Sequence, residues 1–176
     1  IEKEGGYFDP FTFCSDPQIA ASIAQNHILT VLGSRGGYEQ GFKGSQEIAL
    51  VAGLRDAANA GVRCVGEAFP FIDKHDPTVT EEIKRLATDP LFRLGIATEP
   101  RERPATDRSL VLIEFDRALP FPEGSDPSSY NLPERLAIAA VQLVTRAASE
   151  LLSNAKGGTL VVDEAWMFLK SAEGLS

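Results

Sequence analysis

With 176 residues, 43% of them hydrophobic, the chain can enclose one sizeable core, or one core plus a small subdomain, and is expected to be globular. A formal net charge of −8 excludes a broad nucleic-acid-binding face and leaves only the cluster Arg101, Arg103 and Arg108 to touch a polyanion such as DNA, with a solvated loop as its plainer reading. Cys14 and Cys64 stand far apart, without C-x-x-C spacing or a histidine at metal-ligand spacing, so they read as buried thiols of a reducing compartment and no zinc site is suggested.

In chain order, Gly5, Gly6, Tyr7 and Phe8 predict a short strand that stops at Asp9 and Pro10, because proline cannot continue a ladder. Ser15, Asp16, Pro17 and Gln18 then form a helix start with proline in the first turn, and Ile19, Ile23, Ala24, Ile28, Val31 and Leu32 recur at helical spacing up to Gly33. His27 falls within that pattern and is expected on the helix surface. After the glycine-rich stretch 33–44, Ser45 is positioned to cap a second helix carrying Ile48, Val51, Leu54 and Ala58, with Gly61 as terminator. His75, beside Asp76 and Pro77, belongs to a turn. Thr78 to Glu81 opens a third helix with Ile83, Leu86 and Ala87 on one face and Asp89 and Pro90 beyond its end.

Pro100 and Pro104, among charged residues, mark a linker. Leu110, Val111, Leu112 and Ile113 predict a buried strand, and 120–127 a loop. Asn131 and Glu134 have the spacing of a capping box at the head of a helix from about 132 to 153, whose apolar stripe is wide enough to lie against a sheet. Leu160, Val161 and Val162 predict a second buried strand. Strand, helix and strand would make a right-handed β-α-β unit. No apolar run approaches the ~20 residues of a membrane span, and no signal peptide is visible.

The second strand ends in two adjacent carboxylates, Asp163 and Glu164, as a Walker B strand does. The division of labour is physical: the first acid holds Mg²⁺ through its coordinated waters, while the second orients or deprotonates the attacking water. Solubility alone also places Asp-Glu pairs at strand ends. No G-x-x-x-x-G-K-[ST] loop occurs anywhere, and the clusters Gly33 to Gly37 and Gly157 to Gly158 are not followed by Lys-Ser or Lys-Thr. The chain therefore reads as an excerpt of a longer protein.

The order of these parts, with Tyr7 to Phe11, Leu110 to Ile113 and the run Val161, Val162, Asp163, Glu164, Ala165 and Trp166, resembles the C-terminal motor domain of conjugative type IV secretion ATPases, in the HerA/FtsK-like group of P-loop enzymes. The resemblance implies an α/β fold: a partial RecA-like P-loop NTPase core with parallel strands, formed by segments 1–14 and 105–176, plus an all-helical subdomain and linker at 15–104. It implies ATP and Mg²⁺ as cofactors, Asp163 as the Mg²⁺-associated acid and Glu164 as the catalytic carboxylate, with Trp166 in packing. It implies a homo-hexamer in the complete protein, partnered by secretion-machine proteins, in the cytoplasm or peripheral at the inner face of the cell membrane. The Walker A loop and the glutamine and arginine motifs of that group are not in this sequence. The competing reading is a non-catalytic helical docking module that binds a protein partner, its acids merely closing a strand.

Overall fold

In the computed structural model, residues 8–33, 41–102, 119–122 and 126–153 are described. The predicted strands at 110–113 and 159–162, and most of the one at 5–8, lie outside them, as do Asp163, Glu164 and Trp166. Within the described residues every element is helical: α1 (Pro10–Phe13), α2 (Pro17–Leu32), α3 (Gly44–Asn59), α4 (Val65–Asp73), α5 (Pro77–Leu86), α6 (Pro90–Arg93), a 3₁₀ turn (Pro127–Ser129) and α7 (Leu132–Ser153). Neither strand nor sheet occurs among them, which overturns the expected RecA-like core of parallel strands with a helical subdomain beside it. The physical reason is visible in α7. Its wide apolar stripe, expected against a sheet, is covered instead by α2, α6 and α1.

The helices start where the sequence offers a cap. Five Asp-Pro pairs occur in the chain, and each opens a helix or helical turn. Proline fits the first helical position because its missing N–H would have had no partner there, and aspartate supplies the acceptor for the next free amide. The bonds are alike: Asp9 Oδ1 accepts from Phe11 N at 3.0 Å, Asp16 from Gln18 at 2.7 Å, Asp76 from Thr78 at 2.9 Å, Asp89 from Leu91 at 2.8 Å and Asp126 from Ser128 at 2.9 Å. The predicted stops at Asp9-Pro10 and Asp89-Pro90 are thus starts, of α1 and α6. At α7 the expected box is complete, with Asn131 N donating to Glu134 Oε2 and Glu134 N to Asn131 Oδ1. Instead of Ser45, Lys43 occupies the cap of α3, its N–H donating to Gln46 Oε1, and Gly61 follows the helix end at φ 74°.

One core runs through the helices. Ile28, Val31 and Leu32 of α2, Leu50 and Leu54 of α3, Val65 and Ile72 of α4, Val79 and Ile83 of α5 and Phe92 of α6 are buried in the same cluster as Phe11 of α1 and Leu136, Ala139 and Ala140 of α7. Phe13, Ile23, Leu143 and Ala147 form a smaller cluster at the α1, α2 and α7 junction. By length and composition α7 is also the one helix among the described residues long and apolar enough to cross a membrane, although Glu134, Arg135, Arg146 and Glu150 interrupt its apolar residues. A helix buried on one face in a core has the same composition.

Candidate functional site

Asp163 and Glu164, the acids expected to carry the chemistry, lie outside the described residues, and so does the second glycine cluster at 157–158. Of the first cluster only Gly33 is described; it follows α2 with extended backbone, its N–H donating to Leu29 O, so it serves as a helix end. Arg101 of the basic cluster is half-buried and Arg103 and Arg108 are outside. Among the described residues no group of three His, Cys, Asp or Glu side chains is placed to hold a metal ion. Cys14 is half-buried and Cys64 buried, and the two form no disulfide.

The polar chemistry that the structure does bring together lies in the core. Asp9 is fully buried, and besides its cap bond to Phe11 its Oδ2 accepts from Val65 N and from Ala97 N, both at 2.9 Å. Phe8 N donates to Leu94 O beside it, and Gly66 N to Ala97 O. One carboxylate thereby staples the segment before α1 to the start of α4 and to the chain after α6. Burial pushes the Asp9 carboxyl up to about 7, against the pull of its three amide donors, and the Glu67 charge adds to the rise. Cys64, whose thiol is also pushed up by burial, and Glu67 flank it on α4; Glu67 in turn pairs with Arg63 at 2.9 Å.

His27 is the second such group. It is buried, not on the helix surface as expected, with Nε2 2.9 Å from Phe92 O, Nδ1 3.3 Å from Ala139 O and its ring stacked on Phe92 at 5.2 Å. Its place between Ile23 and Val31, four residues from each, was the readable signal, because that spacing puts all three on one helix face. His75 lies after α4 as a turn residue, and its Nε2 meets Asp56 Oδ2 at 2.9 Å on the surface. The Cys64 thiol beside Asp9 is pushed up by burial, which disfavours the nucleophilic thiolate, and Asp9 and His27 each serve to join segments distant in sequence.

Comparison with known protein families, curated proteins and solved structures gives no match for this chain.

Proposed function

We propose that the chain is a segment of an ATP-hydrolysing motor of a conjugative DNA-transfer or type IV secretion machine, acting with Mg²⁺ and as a homo-hexamer in the complete protein. The observation that carries this reading is the run Leu160, Val161, Val162, Asp163, Glu164, Ala165 and Trp166, in which two carboxylates follow an apolar stretch in the order that Mg²⁺ binding and water activation require. Tyr7 to Phe11 supports it at the other end of the chain. In this proposal Asp163 holds the metal through water and Glu164 positions the attacking water. The described helices are the body on which that chemistry is carried, and Asp9 ties three of its segments together.

The test is a Glu164→Gln substitution in a longer protein that supplies a Walker A loop. Nucleotide binding should persist while turnover falls by about 10² to 10⁴, the contribution of a positioned acid-base group. Turnover equal to wild type would remove Glu164 from the mechanism and favour the docking-module reading.

A further inference from the structure

His27 joins three helices distant in sequence, and the count of its protons does not match the count of its acceptors. A neutral imidazole has one N–H, whereas both ring nitrogens here face backbone carbonyl oxygens. The shorter contact assigns the proton to Nε2, donating to Phe92 O at 2.9 Å. Nδ1 is then a bare lone pair 3.3 Å from Ala139 O, so α7 meets the ring by packing alone.

A second proton would turn that contact into a hydrogen bond, but it would also leave a cation in the core. The charged groups on the elements around the ring are Asp9 before α1, Asp16 at the head of α2, Asp89 and Arg93 at α6, and Glu134, Arg135, Arg146 and Glu150 on α7. None of them meets the ring: burial lowers its proton affinity, and only the carbonyls of Phe92 and Ala139 oppose that. Desolvating an imidazolium outweighs one added bond to a carbonyl of a helix ladder.

The geometry points to His27 as an acid-operated release for α7: its second proton is accommodated only when α7 moves off α2 and α6 and lets water reach the ring. Helix α7 is the element that yields, because much of its buried face is small, with Ala137, Ala139, Ala140 and Ala147 around Leu136 and Leu143, and small side chains bury little area. Helix α2 is held by α3 as well as by α1, and the end of α6 is tied to the segment before α1 by the bonds from Phe8 N to Leu94 O and from Ala97 N to Asp9 Oδ2.

Native-state hydrogen exchange of residues 1–176, from pH 7.5 to 5 and corrected for intrinsic rates, tests this against His27→Gln, which keeps an N–H for Phe92 O but cannot take up a proton. Asp9 titrates with the opposite sign, so the two proteins are compared at each pH. The α7 opening constant of the wild type should rise below pH ~6.5 by up to tenfold per pH unit, the limit for one linked proton. In the glutamine variant it should stay flat relative to wild type. Equal slopes in both would overturn the inference. Should the variant fail to fold, the ¹⁵N spectrum of the wild-type ring decides: the closed form should remain the Nε2–H tautomer at pH 6, and an imidazolium in the closed form would overturn it.

Discussion

Asp9 has a bonding pattern that no other side chain of its size can copy. Three backbone amides from three segments converge on two oxygens, and the carboxylate is their shared acceptor. In Asp9→Asn an NH₂ must face at least one of those N–H groups, leaving one or two buried donors unmet at ~1–3 kcal/mol each, a loss of about 2–4 kcal/mol. The pH dependence has a definite sign. The carboxyl stands at about 7 in the fold against 3.8 as its ordinary value, so the folded protein binds the proton more tightly than the unfolded chain. This contribution is fully present below pH 3.8 and is lost as pH rises through about 7. Urea denaturation of wild type and Asp9→Asn at pH 5.5 and 8 should show the wild-type advantage shrinking at the higher pH. A constant difference would mean that the carboxyl does not titrate in that window.

At the scale of elements, close approach decides more than propensity does. A Cβ built on Gly53 of α3 would lie 2.5 Å from Ile72 Cα and 2.8 Å from Ile72 N, so the backbone of α4 crosses where a side chain would be. Alanine at an exposed helical position would be worth about 1 kcal/mol over glycine. Here overpacking costs ~1–3 kcal/mol or more, so Gly53→Ala should destabilise by about 1–2 kcal/mol. Thermal denaturation checks it; a raised Tm would mean that α3 and α4 separate freely. The same contrast explains which elements were legible in the sequence. Helices α2, α3, α5 and α7 carry long apolar periods, and α7 spans the expected 132–153. Helix α4 was not legible, because Gly66 and Pro70 interrupt its pattern, although Pro70 sits inside the helix. Helices α1 and α6 are one turn each, and their Asp-Pro heads look like stops until it is asked which amide proline leaves unused. The staple at Asp9 could not be read at all, since Val65 and Ala97 stand 56 and 88 residues away.

For the whole molecule, the helical core and the acidic pair make different claims on ATP. The helices explain how residues 8–33, 41–102 and 126–153 hold together, through the apolar clusters and the buried polar joints at Asp9 and His27, and neither of those joints presents a row of amides or a lysine to a phosphate. Asp163 and Glu164 supply negative charge, the net charge of the chain is −8, and no G-x-x-x-x-G-K-[ST] sequence is present to counter it. Carboxylates repel a triphosphate unless Mg²⁺ and a cradle of backbone amides with a lysine stand between them. Residues 1–176 on their own should therefore show no measurable heat on calorimetric titration with Mg-ATP, and no hydrolysis. The same titration on a longer protein with a Walker A loop should give saturable binding that depends on Asp163, with Asp163→Asn weakening it only when Mg²⁺ is present. Micromolar binding by residues 1–176 alone would place the phosphate cradle within this sequence, with Gly33 to Gly37 as the first stretch to mutate.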